Sequence, residues 1–339
     1  MQLLPYPESY PIQVKLDWVE LSCICNQYVT FRVSELRNIL ENLESFSSRD
    51  IAEEDADVEN EIQKILEQYR QRSEILVDSY PFEFEEDSQC FVLKRENVEN
   101  LTIDQHIYLY CLYFSHVSDS RLFSGLEAPT NKHRDLLQIA ATIAMAGYCD
   151  GHSISFGWPR PDHSNFYNSL CRTIGFIGEG QVKPFKDINL YLQSKPHKDA
   201  GIDVISWSSH NPNDRMPGNK KIYFSQVASG NNWRSKPVKG DIEAIQNYWL
   251  SQRLYRIIDA IIIPFDFESD DESLKKDFIS LIADEFGVVL YRLRVPAYFK
   301  KGISLLESKP ELLIERADEI NSISQYVIQI TENLQQDAA

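Results

Sequence analysis

The sequence predicts an α/β fold, a mixed β-sheet flanked by helices, with an N-terminal region of α+β character in front of it. Three observations carry this. Residues 257–263 are a nearly continuous run of β-branched apolar residues, the mark of a strand buried on both faces. Runs at 202–207 and 221–227 flank a polar loop from Ser208 to Lys220 and read as a hairpin. From residue 164 the order is helix, strand, strand, helix, strand, helix, strand, and such alternation calls for a sheet covered by helices.

In chain order, residues 12–33 predict two strands joined near Asn26-Gln27, with Val14, Leu16, Trp18, Val19, Leu21, Tyr28, Val29, Phe31 and Val33 as apolar positions. Ser34 is then an N-cap for a helix carrying Leu36, Ile39, Leu40 and Leu43. Residues 47–58 are polar and acidic, a loop or helix start, and Ile62, Ile65, Leu66 and Tyr69 mark a second amphipathic helix. Residues 80–87 read as a turn or edge segment. A helix at 104–117 places Tyr108, Tyr110, Tyr113 and Phe114 in the core. The loop with Gly125 and Pro129 predicts a boundary between a regulatory or partner-binding region, 1–125, and an α/β domain, 126–339.

The second half begins with a helix at 132–149 and a loop at 151–161 rich in Gly, Pro and aromatics. A helix at 164–173 ends before Gly175. The hairpin strands follow, then helix 240–256, strand 257–263, helix 271–286, strand 287–293 and helices at 310–319 and 322–335.

Composition narrows the function. The chain has 339 residues, 43% hydrophobic and 25% charged, as in water-soluble globular proteins. No apolar run nears the ~20 residues of a membrane span, and the N-terminus has no signal-like pattern, so a cytoplasmic location is expected. The six cysteines form no C-x-x-C pair, which argues against a zinc ribbon or redox motif. Cys23 and Cys25, on a strand, would share a face.

The net charge of −17 is unevenly spread. Residues 35–99 hold 19 Asp/Glu against 7 Lys/Arg, a net of −12. Residues 193–240 hold eight Lys/Arg (195, 198, 215, 220, 221, 234, 236 and 239) against Asp199, Asp203 and Asp214, a net of +5. A basic island in an acidic chain draws a phosphate backbone to one place.

That island contains the candidate site. Asp199 and Asp203 stand at the start of one strand and Gln226 near the end of the next. Carboxylate and amide oxygens on neighbouring strands suit a hard divalent cation held against a phosphate. Fully extended, Asp199 would lie about 13 Å from Asp203. A turn at Ala200-Gly201 brings it back, and the alternative is a merely turn-forming Asp. Ser229-Gly230-Asn231-Asn232 makes a turn able to present N–H groups to a phosphate. Trp233 is read as packing beneath it. Glu179 is read as a surface residue, and His152, His163 and His197 as solvated or capping side chains. No nucleophile elbow, Walker A or dinucleotide fingerprint is present.

Gly175-Phe176, Asp199-Ala200-Gly201-Ile202-Asp203 and Ile222-Tyr223-Phe224-Ser225-Gln226 resemble, in kind and order, the motifs of Mrr-type PD-(D/E)XK nucleases, the restriction-endonuclease-like fold. The resemblance covers roughly residues 164–264. It implies a Mg²⁺- or Mn²⁺-dependent endonuclease acting on DNA, in restriction or anti-phage defence with partner subunits. Asp203 and Gln226 would be the metal ligands and Asp199 a further catalytic acid. Lys198, Lys221, Ser229, Asn231, Asn232 and Arg234 would contact nucleic acid. The family places a lysine two residues after the Gln, where this chain has Ala228. Lys236 is the favoured substitute. Lys221 or Lys198 across the sheet, or a degenerate site in a scaffold or nucleic-acid-binding subunit, are the alternatives. An amine within about 4 Å of the carboxylates favours the enzyme.

Overall fold

The computed structural model describes residues 2–43, 51–117, 121–125, 129–160, 162–194, 197–209, 211, 213–214 and 216–338. Lys195 and Arg215 of the basic island, and residues 47–50 of the expected acidic loop, lie outside them.

The first half contains β1 (Gln2–Leu3), α1 (Ile12–Cys25), β2 (Thr30–Arg32), α2 (Val33–Glu41), α3 (Ile51–Leu76), β3 (Phe82–Glu85), β4 (Cys90–Leu93), α4 (Ile103–Val117) and β5 (Phe123–Ser124). Then follow α5 (Asn131–Cys149), β6 (His152–Ser155), α6 (Phe166–Ile177), β7 (Gln181–Val182), α7 (Leu190–Ser194), β8 (Val204–Ser209) and β9 (Lys220–Val227). The chain continues through α8 (Lys239–Tyr248), β10 (Leu250–Gln252), β11 (Ile257–Ile262), α9 (Glu272–Phe286), β12 (Val288–Leu290), α10 (Val295–Ser308) and α11 (Asn321–Ala338).

The mixed α/β class is as expected. The central sheet has strand order β12-β11-β9-β8-β6. β6, β8 and β9 form an antiparallel meander, while β9, β11 and β12 run parallel. The start of β8 therefore meets the C-terminal ends of β9 and β11. In open α/β sheets that end is where ligands collect. Apolar side chains fill both faces. Val204, Tyr223, Ala260 and Ile262 join the cluster containing α5 and α10, and Ile205, Trp207, Ile222 and Phe224 join one with α6 and α8.

Several sequence expectations are corrected. Residues 12–25 are a helix, not a strand. α1 is buried nearly all round, so it has no polar face to set a 3.6-residue period, and the alternation at Val14, Leu16 and Trp18 imitates a strand. Cys23 and Cys25 therefore lie on a helix, and all six cysteines are free. Residues 80–87 match the edge reading: Phe82–Glu85 is the edge strand of a three-stranded sheet, paired with Cys90–Leu93. The loop expected at 151–161 begins with β6, the sheet's edge strand. α6 runs through Gly175, where nothing lies within 4 Å of the α-carbon's open side, and stops at Gly178 with φ 70°. The helix expected to reach 256 ends at Tyr248, and β10 then pairs with β7. The helix expected at 310–319 lies instead at 295–308, started by Pro296 in its first turn. Only a 3₁₀ turn forms at Ala317–Glu319. The aromatic helix matches its reading: Tyr108, Tyr110, Tyr113 and Phe114 are fully buried.

One apolar cluster runs across residue 125, joining Val14, Ile65 and Leu109 to Leu137, Phe299 and Val327. Its tightest seam is between α5 and α10. A Cβ on Gly147 would stand 2.0 Å from the Tyr298 carbonyl oxygen, and one on Gly302 2.2 Å from that of Ile143. Gly147→Val is thus expected to destabilise the fold by about 3 kcal/mol or more, read from urea unfolding, because backbone rather than side chain must move.

A buried charge network joins the N-terminal helices to the ligand end of the sheet. Asp17 and Glu20 on α1 accept from Arg72 of α3 at 2.6 and 2.7 Å. Arg292, after β12, holds both Asp17 oxygens at 2.9 Å. Asp266, after β11, lies 3.2 Å from Arg72. Tyr80 and Tyr108 donate to Glu20, and His116 contacts Asp17 at 2.7 Å. Burial works to raise the Asp17 carboxyl, but Arg292 and Arg72 hold it well below the usual carboxylate range. Burial pushes Glu20 up and His116 down.

Candidate functional site

The site is built around the entry to β8. Ala200 and Gly201 have φ of 52° and 77°, both left-handed, so the chain turns sharply between Asp199 and Asp203. Asp199 Oδ1 accepts from the Gly201 N–H at 3.0 Å and its carbonyl from Ile202 N–H at 3.2 Å. Glycine is required at 201 for a second reason: a Cβ there would meet Asp241 Oδ2, at the start of α8, at 2.2 Å. The turn brings Asp199 back toward the site, where it acts electrostatically on both Asp203 and Asp241.

Asp203 is fixed from three sides. Its N–H donates to Ser225 O at 2.8 Å, and its Oδ2 accepts from Val227 N–H at 2.8 Å. These two bonds bracket Gln226, which stands opposite Asp203 on β9. The Asp203 carbonyl accepts from Phe156 and Gly157 N–H at 2.7 and 2.8 Å, after the end of β6. Oδ1 faces Gly157, where an added Cβ would come within 2.7 Å of it. Gln138 of α5 completes the surround, donating to Ser155 Oγ at 2.9 Å and reaching the Asp203 carbonyl at 3.4 Å.

The residue is half-buried. Burial pushes the Asp203 carboxyl up to about 7. The Val227 N–H bond opposes this, Asp199 adds to it, and Lys236 opposes it. A carboxyl raised from 3.8 to about 7 makes folding most favourable in its acid form. That contribution is full below about pH 4 and is lost as pH rises through 7. Without divalent cations, wild-type stability is expected to fall between pH 5 and 8 by on the order of 2–4 kcal/mol more than that of Asp203→Asn, measured by urea unfolding across pH.

Gln226 is half-buried and has no side-chain hydrogen bond among the described residues. Strand alternation puts it on the same face as Phe224 and Ala228. Ala228 is fully buried against Trp233, Ile261, Ile263 and Phe286. A lysine there would sit in an apolar cluster, which accounts physically for alanine at this position. Trp233 is 6% exposed and packs under the 3₁₀ turn Asn231–Ser235, as its sequence reading has it.

The lysines separate. Lys236 follows that turn, is half-buried, and its field reaches Asp203. Among the described residues no Lys or Arg nitrogen stands within 4.0 Å of the Asp203 carboxylate. Lys221 lies at the opposite end of β9, exposed, five residues and roughly 16 Å along the strand from Gln226. It borders a different, polar cleft with Asp214 and Arg256. Lys198 is exposed beside Asp199, and its carbonyl accepts from Arg160 at 2.6 Å. Ser229 is half-buried, while Asn231 and Asn232 are exposed on the turn after β9. Arg234 stacks over Phe278 at 4.5 Å and lines a cleft of about 390 Å³ with Asn231 and Arg121. The structure therefore gathers Asp199, Asp203, Gln226 and Lys236, with Lys198 and the Ser229–Asn232 turn at the same end. It leaves Lys221 apart.

Other readings change. Glu179 is buried, not on the surface: it accepts from Gly218 N–H at 2.9 Å and pairs with Lys220, pinning the β8–β9 hairpin. His152 stacks on Trp207 and accepts from Leu313 N–H. Gln138, Gly157, Arg160 and Asp241 went unread. Only the Gly- and aromatic-rich composition of 151–161 signalled that region.

The donors fit a hard cation sparingly. Oδ1 of Asp203 and the amide oxygen of Gln226 are oxygen ligands, and Mg²⁺ commonly takes one or two carboxylates and completes its shell with water and phosphate. Among the described residues no group of three His, Cys, Asp or Glu side chains is placed to hold a metal. No described helix is long and apolar enough to cross a membrane. Comparison with protein-family models, curated proteins and solved structures finds no match.

Proposed function

We propose that the chain is a metal-dependent endonuclease that hydrolyses phosphodiester bonds of DNA, with a restriction-endonuclease-like core. One observation carries the reading: Asp203 faces Gln226 across two strands at the ligand end of the sheet, with Asp199 turned back toward them and the Lys236 field reaching Asp203. Within the resembled span the order is α6, β7, α7, β8, β9, α8, β10, β11, which holds the helix, strands, helix, strand of the resembled family with β7, α7 and β10 added between them. The setting that this resemblance implies, restriction or anti-phage defence with partner subunits, belongs to the same proposal.

Each residue has a role. Asp203 Oδ1 and the Gln226 amide oxygen hold the cation. A bound Mg²⁺ or Mn²⁺ offsets phosphate charge and lowers the pKa of water. The Lys236 ammonium, whose charge acts on Asp203, would stabilise charge gathering on the phosphate. Asp199 keeps negative potential at the entry, favouring a cation over a bare phosphate. Lys198 and the Ser229–Asn232 turn receive the backbone on either side.

A second reading has its own observation. Ala228 is buried and, among the described residues, no Lys or Arg nitrogen lies within 4.0 Å of the Asp203 carboxylate, which suits a catalytically inactive module of the same fold. Incubation with plasmid and linear DNA in Mg²⁺ or Mn²⁺ separates them. Chelator-sensitive cleavage by wild type that Asp203→Ala loses supports the enzyme. Equal cleavage by both removes Asp203 from the chemistry, and binding without cleavage by either favours the inactive module.

A further inference from the structure

We propose that the cleft beside Asp203 receives an unpaired nucleobase, so that the strand engaged at this site is single-stranded or locally opened. The inference rests on the nuclease reading and names its substrate form. The cleft, about 570 Å³, opens between α6, α7 and the segment after β6. Its floor is rigid: Phe166 and Trp249 are buried and meet edge to face at 4.8 Å, with His197 at 5.0 Å from Trp249. Its walls are exposed aromatics, Trp158 at 45% and Phe185 at 47%. Large aromatic surfaces left in water around one cavity are costly unless something flat covers them.

Trp158 is braced as a platform. The Arg160 guanidinium lies 5.8 Å from its ring and 4.8 Å from that of Phe156. Arg160 is itself 2% exposed, donates to the Ser164 and Lys198 carbonyls, and has no partner for its buried Nε among the described residues. The guanidinium is attracted to both rings and so ties Trp158 to the buried Phe156.

Position ties the cleft to the carboxylates. Trp158 directly follows Gly157, which packs against Asp203 Oδ1, and consecutive α-carbons are about 3.8 Å apart. His197 precedes Asp199 by two residues. The cleft is thus tied to the carboxylate through chain neighbours on two sides, Trp158 after Gly157 and His197 before Asp199. The rim is polar: Asn165 and Asn168 are exposed, and Gln193, which donates its amide to Ile188 O at 2.6 Å, lines the cleft. Lys198 and Lys236 supply positive charge for the backbone. Aromatic stacking with a basic track is how single strands are held, and bases are read in pockets once removed from the stack. An aromatic groove can also take proline-rich peptide, but this one adjoins a cation site and basic residues.

The test uses the full chain in EDTA, with fluorescein-labelled 12-nucleotide oligo(dT), the same strand with one abasic site, a duplex of equal length and a proline-rich peptide, all at fixed salt. Expected are tighter binding of the single strand than of the duplex, with tryptophan quenching. Trp158→Ala is expected to weaken single-strand binding by about 5- to 100-fold, while Trp158→Phe retains most of it. Lys221→Ala, at the far end of β9, binds the strand as wild type does, and cleavage in Mg²⁺ is measured separately, so that loss of base binding and loss of cleavage are read apart. Equal binding by wild type, Trp158→Ala and Trp158→Phe overturns the inference. So does an abasic strand bound as tightly as the intact one at every position, or a preference for duplex or peptide.

Discussion

Asp203→Ala is expected to reduce the single-turnover rate of DNA cleavage by at least about 10³-fold, because a metal's stabilisation of the scissile phosphate amounts to several kcal/mol. DNA affinity should change far less, since in the proposed function Lys198 and the Ser229–Asn232 turn, rather than a carboxylate, receive the backbone. The variant should remain folded. It removes the acceptor of the Val227 N–H, a cost of about 1–3 kcal/mol, and at neutral pH it also removes an enclosed carboxylate that burial disfavours. Circular dichroism and a urea midpoint distinguish loss of chemistry from loss of fold. A Lys236→Met variant belongs beside it: cleavage near the wild-type rate would show that the amine at this position does not serve the reaction.

Arg72→Met is expected to destabilise the protein by about 3–5 kcal/mol, the usual cost of removing one partner from a buried ion network. Arg72 is fully buried and bonds Asp17, Glu20, Tyr108, the Gln13 carbonyl and Asp266. Removing it leaves Glu20 with two tyrosine hydroxyls and no cation within 4.0 Å among the described residues. Arg292 is then the remaining guanidinium on Asp17 and Asp266 among the described residues, with His116 still on Asp17. Arg37→Met is the control: Arg37 pairs with Glu59 at the surface, and its loss should cost less than about 1 kcal/mol. Urea unfolding measures both. Because the network joins α1 and α3 to the ends of β11 and β12, its loss should loosen the N-terminal helices from the ligand end of the sheet. Faster amide exchange in α1 than in β9 would show that order of release.

What was legible in the sequence follows the physics of burial. β11 was readable because a strand covered on both faces writes its whole length in β-branched residues. β8 and β9 were readable because a polar hairpin separates them. α1 was not, because a helix buried all round has no amphipathic period, and α10 was missed because the strand before it was extended through Arg292 and Leu293. β6 was hidden by its short length and by the Gly and Pro that follow it. Of the site, Asp199, Asp203, Gln226 and Lys236 are brought together as adjacent strands with a turn at either end imply. Lys221 sits apart because a strand of eight residues carries its two ends far from each other. Gln138 and Gly157 could not be read, since each matters only through a long-range contact with Asp203. Ala228 is explained only by its apolar neighbours, which come from β11, α9 and β12.

Calorimetric titration of Mn²⁺ into the full chain at pH 8, with no nucleic acid present, tests the cation site without depending on a substrate or partner. One Mn²⁺ per wild-type chain is expected, with heat of binding lost in Asp203→Ala, weakened in Gln226→Ala and unchanged in Lys221→Ala. Equal binding by wild type and Asp203→Ala, or none by wild type, would contradict a cation held between Asp203 and Gln226.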